Sequence, residues 1–345
     1  MDTGREKAIA NRAILVTGGT GTVGRALVRQ LLPLEPRVVR IFSRDEMKHF
    51  YMMNEFAHHS DKLRFLVGDV RDEKRLQMAM DGIDIVFHLA AMKHVLLSSY
   101  NPFEAMKTNI IGTQNVIECA LRNNVKRVIF ASTDKAVNPT STMGVTKLAA
   151  EHLVTVAGCY RGPRPAIFAS VRFGNVLGSR GSAIPLFVDQ INRGLPVTIT
   201  DPEMTRFIIT SSRACQLLIE ACHLARGGEI FVLKMPKVRL CDLVDALFEH
   251  FNAPPNMEVI TQFPYEKMDE ELMTSEESSR GLESDEMFII LPPALIRQMT
   301  GIEYTYPMAL RPARQMSYCS GDGPFLSKAE ILGFLGSNHI LEEKV

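Results

Sequence analysis

Through the first half of the chain, short apolar runs rich in β-branched residues alternate with longer stretches whose apolar positions recur every three or four residues. The runs are Ala13–Thr17, Val38–Phe42, Leu63–Val67, Asp84–Ala91 and Val128–Ser132. Helix-like stretches such as Arg25–Leu32 and Glu104–Leu121 fall between them. Repeated strand–helix units of this length predict an α/β fold of Rossmann type: a doubly wound parallel sheet, helices on both faces, and ligands gathered at the carboxyl ends of the strands. Beyond Leu177 the alternation loosens. Phe207–Thr210 and Glu229–Val232 read as strands returning to the sheet, Leu240–Phe251 as an amphipathic helix, and Pro254-Pro255 and Pro292-Pro293 as punctuation. The organisation expected is a dinucleotide-binding domain over 1–176 with about 205–234, and a smaller mixed α/β substrate domain over about 177–204 with 235–345. Thr274–Asp285, acidic and serine-rich, reads as an exposed and mobile loop.

Composition narrows the function. A hydrophobic content of 46% over 345 residues is ample for a large core. Lys plus Arg and Asp plus Glu are 39 each, so no charge field speaks for nucleic acid or a membrane surface. The polar start, Met1–Arg12, and the lack of an apolar run of ~18 residues predict a cytoplasmic protein. Six cysteines without a Cys-x-x-Cys spacing read as reduced core residues, and His58-His59 as a solvated pair, so no metal site is expected. Small-molecule chemistry remains.

The strongest local signal follows the first strand, where Gly18-Gly19-Thr20-Gly21-Thr22-Val23-Gly24 opens a helix. Glycines at 18, 21 and 24 let the backbone approach a pyrophosphate, which then meets free amides at the positive end of the helix. Gly18, Thr20, Gly21, Thr22, Val23 and Gly24 are therefore candidate cofactor residues. The second strand ends at Ser43-Arg44-Asp45, near the ribose-reading position ~20 residues past the fingerprint. A hydroxyl and a guanidinium there suit the 2′-phosphate of NADP, with NAD still open through Asp45. Asp69, after the third strand, is placed to accept from the adenine amino group or to cap the helix beginning near Asp72. Leu89, Ala90 and Ala91 are small enough at the fourth strand end to let the backbone lie along the cofactor. The fifth strand runs straight into Thr133-Asp134-Lys135.

Several stretches together resemble one family. They are the glycine turn, Gly68–Asp72, Ala90–Val95, Ser132–Pro139 and Arg172–Ser182. The chain looks like an extended short-chain dehydrogenase/reductase, and within that group it resembles the UDP-N-acetylglucosamine 4,6-dehydratases of polysaccharide and glycan biosynthesis over roughly 13–291. The family's Tyr-x-x-x-Lys becomes Met143-x-x-x-Lys147, a departure shared by a subgroup of these dehydratases. A thioether cannot take a proton, so Met143 is read as core filling with no acid–base role. The resemblance also places Val70, Lys93, Asn109 and Lys147 along the cofactor, and Lys93, His94, Asn175, Ser182, Arg206 and Lys267 near the nucleotide sugar. Around Lys267, Tyr265-Glu266-Lys267 and Glu270-Glu271-Leu272 resemble the family's Pro-Gly-Glu-Lys segment, which Phe263-Pro264-Tyr265 breaks.

The chemistry this implies is oxidation at C4 by the nicotinamide, loss of water across C5 and C6, and hydride return to C6. The product is a UDP-6-deoxy-4-keto-N-acetylhexosamine. Lys135, kept neutral by burial or by a second cation such as Lys147, is the expected C5 base, and protonated Asp134 the expected acid for the departing hydroxyl. Without the tyrosine, the C4 hydroxyl proton is left to Asp134, to Thr133, or to a water held by Lys147. The Met143 subgroup implies retention at C5, with inversion or a UDP-sugar epimerase as alternatives. A silent NADP-binding regulator is the reading from another class. Similar enzymes pair helices like Pro102–Leu121 and Thr146–Val156 across a two-fold axis, so a homodimer or larger homo-oligomer is expected.

Overall fold

The computed structural model describes residues 3–179, 181–260, 265–314 and 316–337; Arg180 and Phe263-Pro264 lie outside them. Six parallel strands, β1 (Ala13–Thr17), β2 (Val38–Ser43), β3 (Leu63–Val67), β4 (Ile85–His88), β5 (Arg127–Ala131) and β6 (Ile167–Arg172), take the order β3-β2-β1-β4-β5-β6. β1 pairs with β2 from Ala13↔Val38 and with β4 from Ile14↔Ile85. The strand order turns back between β1 and β4, which opens a crevice at their carboxyl ends.

The continuous apolar character of these strands has a direct cause. Successive side chains of β1 enter different cores: Ile14 and Val16 pack with Val28 and Leu31, whereas Ala13 and Leu15 pack with Val116 and Ala120 on the opposite face. A third apolar cluster, including Leu177, Phe187, Val197, Leu243, Leu247 and Ile331, forms the heart of a smaller lobe.

The sheet is wider than the sequence pattern suggests. Ile230–Leu233 adds in parallel beside β6, and Met287–Ile290, Gly281–Glu283 and Arg311–Pro312 continue the edge in antiparallel fashion, giving ten strands among the described residues. Residues 281–312, expected in the substrate domain, therefore extend the central sheet. Thr274–Asp285 is not an exposed loop either. Thr274 and Glu277 form a reciprocal capping box on the helix Ser275–Ser278, and Glu277 turns inward to a buried arginine.

That arginine, Arg172 at the end of β6, is 1% exposed. Its guanidinium donates to Glu151 Oε2 at 2.9 Å, to both Glu277 oxygens at 2.8 Å and to the carbonyl of Leu272 at 3.1 Å. Glu151 belongs to the helix Thr142–Val156, so one planar fork ties that helix, the sheet and the segment 272–277 together. The stretch Glu104–Leu121 is helical as expected, and within it a π turn over Lys107–Ile111 sits between Pro102–Met106 and Gly112–Arg122.

Candidate active site

At the β1 end, Gly18 adopts φ +68°, and a Cβ there would lie 2.8 Å from the Ala90 nitrogen. A Cβ on Gly24 would meet the Gly18 oxygen at 2.6 Å. Only glycine permits this closeness of loop, helix and β4 end. The helix Thr22–Leu31 starts after Gly21 without a side-chain cap, leaving its first amides directed at the crevice. A dinucleotide pyrophosphate fits this cradle.

The β2 end presents two hydroxyls and an arginine. Thr20 Oγ1 and Ser43 Oγ are 2.8 Å apart, and Ser43 Oγ lies 3.0 Å from His49 Nε2, so both hydroxyls are joined in one string. Asp45 accepts from the Lys48 amide as cap of the helix Glu46–Glu55. Arg44 stays largely exposed, 3.7 Å from Asp69. Asp69 does not cap a helix; Asp72 does. Burial would raise the Asp69 carboxyl, but hydrogen bonds from Arg71 at 2.6 and 3.0 Å outweigh it and hold the group below its ordinary range. Next to it, Val70 is buried, and its carbonyl accepts from Asn115.

Asn109, on the π turn, is 1% exposed and acts as a clamp. Its Oδ1 accepts from the Met92 amide at 2.8 Å, and its Nδ2 donates to the Met92 carbonyl at 3.1 Å and to Thr146 Oγ1 at 3.0 Å. It thus fixes the backbone at Met92, just past Leu89-Ala90-Ala91, against the helix Thr142–Val156, and both of its amide hydrogens are used in doing so.

The tripeptide after β5 is set by a second close approach. A Cβ on Gly144 would fall 2.2 Å from the Lys135 carbonyl, so the helix capped by Ser141 packs directly on the Lys135 backbone. Asp134 is 1% exposed; its Oδ1 accepts from the Thr133 hydroxyl at 2.8 Å, the Lys135 amide at 2.9 Å and Lys135 Nζ at 3.2 Å, and its buried Oδ2 has no protein partner. Lys135 Nζ also lies 3.1 Å from Glu270 Oε1. Burial would lower the Lys135 ammonium, but Asp134 and Glu270 outweigh it and hold the group above its usual value. The neutral amine expected at 135 is thus replaced by a charged one. Lys147 shows the opposite: desolvation lowers it to about 7, only partly resisted by Glu151. Its Nζ donates to the Ala131 carbonyl at 2.6 Å and sits 3.9 Å over the Phe130 ring. Met143 is 3% exposed, a packed core side chain.

The remaining candidates divide. Asn175 Oδ1 and Ser182 Oγ are buried without protein partners. A Cβ on Gly181 would strike the His94 ring at 2.4 Å, which brings Gly181 against the loop after β4; Lys93, next to His94, is exposed. Arg206 donates to the carbonyls of Thr205 and Met268, and Lys267 to that of Val137 at 2.6 Å, so both are engaged by backbone. Glu270, more than 130 positions from the tripeptide, entered the sequence reading only within the segment around Lys267 and was not singled out as a site residue.

This construction defines an enzyme of the extended short-chain dehydrogenase/reductase class. The family model described as polysaccharide biosynthesis protein matches residues 14–292, and the chain belongs to that family. An uncharacterized membrane protein of Methanocaldococcus jannaschii is 45% identical over 93% of this chain and 94% of its own. A UDP-N-acetylglucosamine 4,6-dehydratase (inverting) of Campylobacter jejuni is 41% identical over 81% and 82%, and a UDP-glucose 4-epimerase of Rickettsia conorii 39% identical over 78% and 80%. The X-ray structure of Pen from Bacillus thuringiensis matches with a TM-score of 0.90 at 43% identity, covering 96% of this chain and 99% of that one. No helix among the described residues is long and apolar enough to cross a membrane.

Proposed function

We propose that this enzyme is a UDP-N-acetylglucosamine 4,6-dehydratase that uses NADP. The observation that carries the reading is the buried Asp134 carboxylate in contact with the Lys135 amine at the end of β5, an acid–base pair for which a plain 4-epimerase has little use. A nicotinamide cofactor, when bound, would supply a hydride acceptor for C4 and a donor for C6. Thr133, whose hydroxyl already donates to Asp134, relays the C4 hydroxyl proton to that carboxylate as it takes the proton up. Lys135 removes the C5 proton made acidic by the new ketone, and Asp134 protonates the departing C6 hydroxyl. Lys147 binds the nicotinamide ribose, and Asn175, Ser182, Lys93 and His94 hold the nucleotide sugar, aided by Arg206 and Lys267. Arg44, largely exposed beside the Ser43 hydroxyl, supports NADP over NAD. The relatives described as inverting favour inversion at C5 over the retention that Met143 implies by resemblance. Self-association is supported by an apolar surface on consecutive helices, with Leu97 57%, Tyr100 88% and Phe103 74% exposed.

Incubation with UDP-N-acetylglucosamine in deuterated buffer tests this directly. A 4-keto-6-deoxy product with deuterium at C5 is expected, and its proton couplings report the C5 configuration. A C4 epimer without ketone would identify an epimerase, and tight NADP binding with no turnover on any UDP-hexose a regulator.

A further inference from the structure

We propose that Glu270 is a positioning residue that takes up and returns the Lys135 proton during elimination. The inference rests on the dehydratase reading. Glu270 arrives from a segment remote in sequence, is 3% exposed, and places Oε1 3.1 Å from Lys135 Nζ. Its other oxygen is buried without a hydrogen-bond partner. The backbone beneath it is locked: the Glu270 amide donates to Ser320 Oγ at 2.8 Å, and the Ser320 amide donates back to the Glu270 carbonyl at 2.8 Å. Such a carboxylate is preorganised and can change protonation without moving.

The need for it follows from proton accounting. The charges facing Lys135 are Asp134 on its own turn, Glu270 from a segment remote in sequence, and Arg206, which opposes them; Lys267 Nζ stands 3.9 Å from Glu270 Oε2. The two carboxylates keep Lys135 protonated at rest, so the C5 base must first unload. Asp134 is a poor recipient, because loss of water consumes one proton from the C4 hydroxyl and Thr133 already directs that proton to Asp134 Oδ1. Glu270 Oε1 is the acceptor left. In the step, an N–H bond of Lys135 breaks and an O–H bond forms on Glu270. The freed lone pair takes the C5 proton, the C–H electron pair moves toward the C4 carbonyl and then into the C5–C6 bond, and the C6–O bond breaks as Asp134 gives its proton to the leaving hydroxyl. When C5 is reprotonated, the cluster has released the proton it took, and Glu270 hands its own back to Lys135.

Glu270→Gln in the full chain keeps size and hydrogen bonding but cannot accept the proton. With UDP-N-acetylglucosamine it is expected to reduce the bound nicotinamide and then accumulate it in that form. C5 deuterium uptake and ketone product should fall ~100-fold or more near neutrality and recover about tenfold per pH unit as solvent deprotonates Lys135 instead. Glu270→Asp should restore part of the loss. Wild-type rates of C5 exchange in Glu270→Gln, or equal loss of nicotinamide reduction and exchange at every pH, would overturn the inference. A wild-type enzyme that neither reduces its nicotinamide nor exchanges C5 would instead sink the dehydratase reading on which it stands.

Discussion

Two lysines twelve residues apart end with opposite proton affinities. Lys135 has two carboxylates within 3.2 Å and stays charged, whereas Lys147 is held over an aromatic ring beside a single carbonyl and falls to about 7. The Lys147 value is depressed from 10.5, so the unfolded chain binds more protons between about pH 7 and 10.5, and stability gains from this group as pH rises through that window. Lys147→Met should therefore flatten the pH dependence of Tm between pH 7 and 10, measured on the cofactor-free protein. An unchanged slope would mean that Lys147 is not desolvated as described. Asp134→Asn and Lys135→Ala should each cost at least ~100-fold in turnover, the low end for an acid or base. Steady-state ketone formation checks this, and near-normal rates in either variant would remove that residue from the chemistry. The adjacency of Asp134 and Lys135 was legible in the sequence. The charge of Lys135 was not, because it depends in part on Glu270, which only folding brings near.

Glycines decide how closely the elements meet. Gly18 and Gly24 let the phosphate loop, the first helix and the β4 end approach, and their spacing betrayed them in advance. Gly144 does the same for the helix Thr142–Val156 and the Lys135 backbone, yet it stands in an ordinary helix start and has no signature spacing. Gly144→Ala should destabilise the fold by about 1–3 kcal/mol in urea unfolding, since its methyl would need room 2.2 Å from a carbonyl. A neutral effect would show that the helix start can retreat. The π turn at Lys107–Ile111 escaped sequence reading for a related reason: apolar periodicity over Glu104–Leu121 is compatible with one helix, and only the demand that Asn109 reach Met92 and Thr146 together reveals the extra residue.

Across the molecule, Arg172, Glu151 and Glu277 tie the sheet, the helix Thr142–Val156 and the segment 272–277 together in a nearly dry ion network. Glu277→Ala would leave part of a buried guanidinium unmatched, and a loss of about 3 kcal/mol is expected in denaturant unfolding. A loss below about 1 kcal/mol would indicate that water replaces the carboxylate. The serine-rich, acidic stretch around Glu277 was misjudged as exposed because composition reports solubility on average and cannot show that one carboxylate has a buried partner a hundred residues away. What the order of residues settled unaided were local matters: the strand–helix alternation, the glycine cradle, the tripeptide after β5. These follow from backbone sterics and from apolar spacing within a few turns. What required the folded chain were long-range pairings: the added sheet strands at 281–312, the arginine fork, and the carboxylate that sets the charge of Lys135. Electrostatic character inside a protein is fixed by neighbours in space and by excluded water, and neither is written at any single position of the chain.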